Sequence, residues 1–443
     1  MTLKLDTADI QGNILKGYKF PHVAHLFGWI EAGNAALWRS FLKQIRKQVT
    51  PAQWQEKPRS TLNIGLSYRA IARLRPGTAQ ELAKRFEAFA DGMASRSEEL
   101  GDDEDFQRRR WDDRHVWLSL HGQTAADLDR AVGELKGLAG RLDLAEQLPR
   151  GAARVIDGHW FEHFGFRDDI SYPAIDGTPG LEASELPGRG KFSDAGWVPV
   201  AAGEFVLGQA DEDGSNALAE LSYDAERLLR NGTFGVFRHL SQNVAGFRKF
   251  LQQRSGPHAS PERLASCMMG RTFAGEPLVS SNGELSNFRY DTDKDGARCP
   301  LGAHVRRANP RVEGRRRLVR RGMSYGSDLA EGAEDNADRG LWFVAYNASI
   351  ESQFEFIQKR WLNGLFGTLT EARDPIVGAG PERAMVIEGD AGTSRAPILL
   401  LDIPKFVSCY GGQYYLVPSL SGLDFLCSDP PVSSPPPELE EVP

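Results

Sequence analysis

The sequence lacks the features of a membrane-spanning or exported protein. No apolar run among its 443 residues approaches the roughly 18 residues that a bilayer-spanning helix needs. The first residues, MTLKLD, contain neither an apolar segment nor twin arginines. We therefore expect no export signal, no membrane contact and a cytoplasmic location.

The chain also has few cysteines and no excess of positive charge. The four cysteines form no C-x-x-C pair, which argues against a disulfide scaffold and a zinc ribbon. The net charge of -7, from 53 basic and 60 acidic side chains, argues against a phosphate-binding surface over the whole molecule. We expect no nucleic-acid partner. Hydrophobic and charged shares of 41% and 26% are those of an ordinary folded protein.

Strand patterns alternate with helical patterns in the first third of the chain. Residues 23–31, 61–68 and 115–121 are short and rich in β-branched and aromatic residues, which predicts strands. Helical patterns separate these strands. They cover residues 35–49, a segment that begins at Gly77 or Thr78 and extends to about residue 95, and residues 124–142. Such short strand–helix units predict an α+β or α/β fold.

Two distant segments of the sequence resemble each other, and this internal echo suggests a repeat. Asn34 and Asn243 each precede a similar helical block, WRSFLKQ and FRKFLQQ, and the offset of 209 positions (243 minus 34) is the same for the blocks. Two copies of one β-α-β type module would explain the echo, and so would a chance likeness between amphipathic helices. A further strand–helix pattern at residues 340–362 favours two modules.

The composition of the chain predicts the boundaries of its modules. Residues 1–156 are assigned to an N-terminal module and residues 208–427 to a C-terminal module. Between them, residues 157–207 are dense in Gly, Pro and Asp and predict a long connecting loop, a kind of segment that often carries function. Residues 428–443, rich in Pro and Glu, predict a disordered tail.

Three local motifs resemble functional signatures without meeting their requirements. The sequence GMSYG at 322–326 fits a nucleophile elbow, but no histidine follows His304 to complete a triad. The sequence HWFEH at 159–163 fits an inverted zinc motif, but two flanking glycines leave no room for a stable helix. The sequence DTDKDG at 291–296 begins like an EF-hand, but Gly302 stands where a glutamate is required.

An arginine cluster beside a histidine is the strongest positive signal. Eight arginines lie between residues 306 and 321 of an otherwise acidic chain. A nucleic-acid stripe and an anionic cofactor both fit this cluster, and the overall negative charge favours the cofactor. One imidazole, His304, next to several arginines suits a porphyrin, because its iron takes one axial nitrogen and its propionates need cations.

Several motifs in a fixed order resemble those of the dye-decolorizing peroxidases. Five ordered motifs are far more specific than any single pattern above, and the resemblance extends over about residues 9–427. The motifs are DIQGNIL at 9–15, FGFRDDIS at 164–171, CPLGAHVRRANPR at 299–311, RRGMSYG at 320–326 and the strand–helix segment 340–358.

The resemblance implies an α+β fold with two ferredoxin-like modules, each an antiparallel sheet with helices, in a dimeric α+β-barrel-like arrangement. It implies one non-covalent heme b per chain, held mainly by the C-terminal module. The expected activity is that of a heme peroxidase, which reduces hydrogen peroxide and oxidises organic donors such as dyes and phenolics by one-electron steps. A homo-oligomer is compatible with it. A heme carrier without significant turnover is the alternative, although a carrier needs no acid–arginine pair.

The resemblance also implies roles for single residues. His304 is expected to be the metal ligand, with Glu351 as the carboxylate partner of its other ring nitrogen. Glu355, one helical turn away, is the alternative partner. Asp168 and Arg320 are expected to face the peroxide as the catalytic pair.

Further residues complete the expected site. Arg306 and Arg311 are expected to bind the cofactor, and Leu341 and Phe343 to form an apolar wall over it. The family motif G-x-x-D-G departs at its last position, where Asp169 adds a second carboxylate. Trp342 and Trp361 lie nearest in sequence to the heme wall among aromatic residues that could pass electrons to the surface.

Overall fold

The computed structural model describes residues 4–108, 111–168, 170–257, 259–280, 283–311, 314–364, 373–380, 383–389 and 396–428. Asp169 and the predicted tail beyond Ser428 lie outside these residues. Within them, no helix is both long and apolar enough to cross a bilayer.

The described residues contain sixteen strands, which are mostly short. They are β1 His22–Gly28, β2 Ser60–Leu66, β3 Val116–Gly122, β4 Leu144–Ala145, β5 Gly151–Ala152, β6 Arg154–Ile156, β7 His159–Phe161, β8 Lys191–Ser193, β9 Gly196–Val198, β10 Thr233–Gln242, β11 Val319–Arg320, β12 Met323–Tyr325, β13 Gly340–Asn347, β14 Met385–Ile387, β15 Ile398–Leu400 and β16 Val407–Val417.

Helices connect these strands and cover their outer faces. The α-helices are α1 Gly12–Leu15, α2 Ala35–Ile45, α3 Tyr68–Leu74, α4 Pro76–Arg85, α5 Glu87–Asp91, α6 Ala125–Ala139, α7 Tyr223–Leu229, α8 Val244–Arg254, α9 Pro261–Met269, α10 His304–Ala308 and α11 Leu420–Cys427. Two π-helical segments follow β13, Ile350–Glu355 and Ile357–Leu362. Short 3-10 turns occupy Ala32–Asn34, Arg46–Gln48, Ala94–Arg96, Glu104–Arg108, Ala183–Glu185 and Ala202–Glu204.

The main sheet closes on itself. Its antiparallel strands follow the order β10, β16, β2, β3, β1, β5, β12, β13, and β13 pairs again with β10. Long ladders join β2, β3 and β1 in one half and β16, β10 and β13 in the other. The halves meet at two single pairings, Leu416 with Leu66 and Tyr325 with Gly151. The predicted α+β fold with antiparallel sheets is confirmed.

Aromatic side chains fill the interior of the closed sheet. Phe27, Trp117, Phe237, Trp342 and Tyr415 are all at most 1% exposed and belong to one hydrophobic cluster. A second cluster packs the N-terminal helices and α11 against the outer face, and a third packs α8 and α9 beside the C-terminal strands. Burial of this much apolar surface supplies the main driving force for folding.

The echo in the sequence corresponds to two similar strand–helix units. Helices α2 and α8 both have 11 residues and begin directly after Asn34 and Asn243. The Asn243 side chain caps its helix by accepting from the N–H of Gly246 at 2.8 Å, whereas Asn34 accepts from Glu31. The predicted module boundaries themselves stay predictions.

Predicted helix lengths were less accurate than predicted strands. The helix expected over 35–49 ends at Ile45 and continues as a 3-10 turn. The helix expected over 78–95 is two helices that break at Phe86, which adopts an extended φ of -128°. Helix ends are set by local hydrogen bonds, which a hydrophobic pattern does not reveal.

Gln11 of the N-terminal motif clamps the joint between the two halves. Its amide donates to the carbonyl oxygens of Ile64 at 2.9 Å and Pro418 at 2.8 Å, and its Oε1 accepts from the N–H of Ile64 at 2.9 Å. The side chain is fully buried. It therefore satisfies polar groups of β2 and of the residue after β16, where those strands share only one pairing.

We predict that Gln11→Ala lowers the free energy of unfolding by about 3 kcal/mol, because it leaves buried backbone groups unpaired. Chemical denaturation followed by tryptophan fluorescence measures the change. The exposed Gln53→Ala is the control and should stay within about 0.5 kcal/mol of the parent. A Gln11→Ala protein as stable as this control would contradict the clamp.

Candidate functional site

A cavity of about 340 Å³ lies against the outer face of the C-terminal strands. Side chains alternate along a strand, so β13 directs Trp342 and Val344 into the core and leaves the half-exposed Leu341 and Phe343 to line the cavity. Leu240 of β10 pairs with Leu341 and lines the same wall. Leu341 and Phe343, the two residues predicted to form an apolar wall, therefore line this cavity, and their contact with a cofactor stays a prediction.

His304 begins α10 and lines this cavity. Its Nδ1 lies 2.9 Å from Oδ2 of Asp374, a residue that is fully buried. The other oxygen of Asp374 accepts from the N–H groups of Ile376 and Val377, each at 2.9 Å. Asp374 is thus held on both oxygens, and it fixes the orientation of the imidazole ring.

The charge of Asp374 determines which nitrogen of His304 carries a proton. Burial alone raises the pKa of Asp374, but the charge and hydrogen bond of His304 and the N–H of Val377 outweigh it, so the pKa lies below its usual value. Asp374 is therefore a carboxylate at neutral pH and accepts from Nδ1–H. The lone pair of Nε2 is then available to a metal.

The predicted partner of His304 was wrong. Glu351 has an exposed side chain, and its carboxylate accepts from the N–H of Ala88 at 2.9 Å. The alternative, Glu355, is buried against Arg96 at 2.6 Å. Both carboxylates face the N-terminal module, because the π-helical segment that carries them packs against α5.

Asp168 and Arg320 face each other in the same cavity as His304. Nη1 of Arg320 donates to Oδ1 of Asp168 at 3.2 Å, and the two side chains are 42% and 33% exposed. A single, partly solvated hydrogen bond of this kind is weak, so either group can turn to another partner in the cavity.

A tight turn carries Asp168 into the cavity. The N–H of Asp168 donates to the carbonyl oxygen of Trp160 at 2.9 Å, and the N–H of Arg167 to that of Phe273 at 3.1 Å. Gly165 has a φ of +105°, which favours glycine at this position. The backbone that leads into Asp168 is thus bound to two other segments, at Trp160 and at Phe273.

Arg320 and its neighbour Arg321 have different environments. Arg320 lies on β11, opposite Ala345, and reaches the cavity. Arg321 is half-buried, does not line the cavity and donates to the carbonyl oxygen of Asn13 at 2.8 Å. The N-terminal motif 9–15 therefore supports the loop that follows Arg320.

The prediction that Arg306 and Arg311 bind the cofactor was wrong in position, because neither lines the cavity. Arg306 is buried against Asp293 at 3.1 Å, and Arg311 donates to the carbonyl oxygen of Ser286 at 2.8 Å. Both hold loops in place. The arginines that do line the cavity are Arg167, Arg238, Arg271, Arg316, Arg317 and Arg320.

The motifs set aside in the sequence have structural roles. His159 lies on strand β7 rather than on a helix, and Nε2 of the buried His163 lies 2.8 Å from the carbonyl oxygen of Tyr325. Asp293 accepts from the N–H groups of Arg298 and Cys299, each at 3.0 Å, and so shapes its own loop.

The two tryptophans near the predicted heme wall are buried to different extents. Trp342 is fully buried and stacks on Tyr325 with ring centroids 4.1 Å apart. Trp361 is half-buried on the second π-helical segment and meets Phe356 edge-on at 5.6 Å. Only Trp361 of this pair reaches solvent.

Known proteins resemble this chain over nearly its whole length. A model of the C-terminal part of Dyp-type peroxidases matches residues 268–376. Dye-decolorizing peroxidase msp1 from Mycetinis scorodonius is 29% identical over 95% of this chain and 87% of that protein. Multifunctional dye peroxidase DyP2 from Amycolatopsis sp. is 27% identical over 94% of each chain. The solved structure of an ancestral D-type dye decolorizing peroxidase has a TM-score of 0.75 at 28% identity, covering 95% of this chain and 99% of that chain.

We predict that Asp374→Asn moves the proton of His304 from Nδ1 to Nε2. The Asn oxygen remains bound by the N–H groups of Ile376 and Val377, so the amide NH₂ turns to the imidazole and makes Nδ1 an acceptor. Nitrogen-15 NMR of the histidine rings in protein prepared without metal reports the tautomer.

The ring of His25 serves as an internal control, because its Nδ1 accepts from Trp117 in a region remote from Asp374. Its tautomer should not change. If His304 keeps its proton on Nδ1 in the variant, Asp374 does not set the tautomer.

Proposed function

We propose that this chain, which belongs to the DyP-type peroxidase family, is a heme-dependent peroxidase. It reduces hydrogen peroxide and oxidises organic donors such as dyes and phenolics in one-electron steps. The observation that carries the proposal is that one cavity is lined both by a carboxylate-bound imidazole, His304, and by an acid–arginine pair, Asp168 and Arg320.

The residues of the cavity fit a heme b, bound non-covalently and one per chain. Leu240, Leu341 and Phe343 would offer an apolar surface to the macrocycle. Arg271 and Arg317 are buried cations, and within the described residues their hydrogen bonds go to carbonyl oxygens rather than to carboxylates. Burial lowers the pKa of Arg317 to about 10, so it stays charged at neutral pH. Anionic propionates would neutralise this buried charge.

His304 would hold the iron through Nε2. Asp374 accepts from Nδ1–H, which makes the imidazole a stronger electron donor and keeps the ring in one orientation. A bound heme would supply the redox-active iron at which peroxide is reduced.

Asp168 and Arg320 would act on the peroxide. Asp168 is placed to accept a proton from one peroxide oxygen and to deliver it to the other, which leaves as water. Arg320 carries positive charge beside the oxygen on which negative charge develops, and its weak bond to Asp168 allows it to turn there. Both side chains are partly exposed, so peroxide reaches them from solvent.

We predict that His304→Ala abolishes heme binding, because it removes the imidazole that would ligate the iron. The measurement is the Soret absorbance of purified protein after titration with hemin. The control is His159→Ala on strand β7, outside the cavity, which should bind heme like the parent protein. Retention of full heme absorbance by His304→Ala would refute the assignment.

We predict that Asp168→Asn and Arg320→Leu keep heme but slow the reaction with peroxide by about 100-fold or more, because one lacks the proton acceptor and the other the cation. Stopped-flow absorption after mixing with one equivalent of peroxide measures the rate. Asp213→Asn and Arg315→Leu are matched controls, since they alter a surface Asp–Arg pair outside the cavity.

The same experiment separates a peroxidase from a heme carrier. A carrier would bind heme and show no rapid spectral change with peroxide, in the parent protein as well as in the variants. That outcome would overturn the proposed activity and leave the heme site intact.

A further inference from the structure

Glu162 is a half-buried carboxylate in the cavity wall, and the mechanism above gives it no part. Its Oε2 accepts from the N–H of Phe164 at 2.9 Å and its Oε1 from the N–H of Phe166 at 2.8 Å. Gln242, at the end of β10, donates its amide to Oε2 at 2.6 Å. One side chain thus binds two backbone groups of the turn and one residue of the sheet.

These contacts organise the turn that leads to Asp168. The backbone of Glu162 also closes the turn, because its N–H donates to Phe166 and its carbonyl oxygen accepts from Gly165, both at 3.0 Å. Asp168 follows two residues after Phe166, and its own N–H is bound to Trp160. Any change at Glu162 therefore alters the start of the segment that presents the carboxylate of Asp168.

A carboxylate at position 162 suits the organisation of this turn better than a neutral side chain would. Burial raises the pKa of Glu162, and the nearby charge of Asp168 raises it further, so an ionised group is costly at this place. A carboxylate nevertheless offers acceptors for all three donors at once. A glutamine would place an NH₂ group against N–H groups that already donate.

We propose that Glu162 is a positioning residue, which with Gln242 anchors the turn 162–166 to the sheet and so fixes Asp168 relative to Arg320. The inference rests on the proposed peroxidase function for its kinetic consequence. Its structural consequence, an ordered turn, does not depend on that function.

The central variant is Glu162→Gln, which keeps the volume, replaces one of the two acceptor oxygens by an NH₂ group and so leaves at least one of the three donors without its acceptor. We expect heme absorbance and thermal midpoint to stay close to those of the parent protein. The reaction with peroxide should slow by about 10- to 100-fold, because a small misplacement of a catalytic group has effects of this size. The rate of donor oxidation that follows should not change, since Asp168 acts on peroxide only.

Two further variants separate positioning from a general loss of structure. Gln242→Leu removes only the anchor to β10 and should slow the peroxide reaction in the same direction, so it tests the inference even if Glu162→Gln does not fold. The double variant Glu162→Gln/Gln242→Glu restores a donor–acceptor pair between the two side chains. It should recover part of the rate of the peroxide reaction. Asp194→Asn, an exposed carboxylate elsewhere in the connecting loop, is the control.

Hydrogen exchange measured by mass spectrometry gives a readout that needs no activity. The amides of Phe164 and Phe166 should be protected in the parent protein and should exchange at least about 10-fold faster in Glu162→Gln, because each loses or weakens a charge-assisted acceptor.

The outcomes distinguish a failure of the proposed function from a failure of the positioning role. If the parent protein does not react with peroxide, the proposed function fails, and exchange at Phe164 and Phe166 still tests the anchor. If the parent reacts but Glu162→Gln and Gln242→Leu react as fast and exchange as slowly as the parent, the positioning role is overturned. Slower peroxide reaction and faster exchange with heme retained support it.

Discussion

The alternation of side chains along β10 and β13 is the constraint on which the site depends. The two strands pair over eight residues, from Phe234 with Asn347 to Ser241 with Gly340. Because successive side chains point to opposite faces, filling the interior with Phe237 and Trp342 commits their neighbours to the outer face. The apolar wall of the cavity is therefore a consequence of how the core is packed.

Asp168, His304 and the partner of His304, Asp374, are brought to that wall by short or irregular segments. Asp168 arrives on a turn, His304 at the start of a helix of five residues, and Asp374 in a loop. Loops hold their shape through specific hydrogen bonds rather than through a buried stripe. This explains why Glu162, Asp374 and Asp293 each have a carboxylate bound to backbone N–H groups.

The sequence predicted the parts of the site that short motifs carry. Asp168, Arg320, His304, Leu341 and Phe343 all line one cavity, although their chemical roles remain proposals. Asp374 was missed, because it lies 70 residues after His304 and its only local sign is an Asp–Pro pair. Glu351 was carried over instead from the resemblance to the family, with Glu355 as the alternative one helical turn away. Both carboxylates lie on a π-helical segment that packs against α5, away from His304. Eight arginines in one short stretch could not be told apart, since only packing decides which of them reach the cavity.

The clamp at Gln11 links positions 407 apart in the chain, which has a consequence during protein synthesis. The ribosome releases the N-terminal strands long before Pro418 is synthesised. One edge of β2 and one edge of β5 therefore stay unpaired until their late partners, β16 and β12, have formed. Unpaired edges recruit other strands and lead to aggregation. The nascent chain must therefore shield these edges, through its own helices or through chaperones, until β12 and β16 have been synthesised.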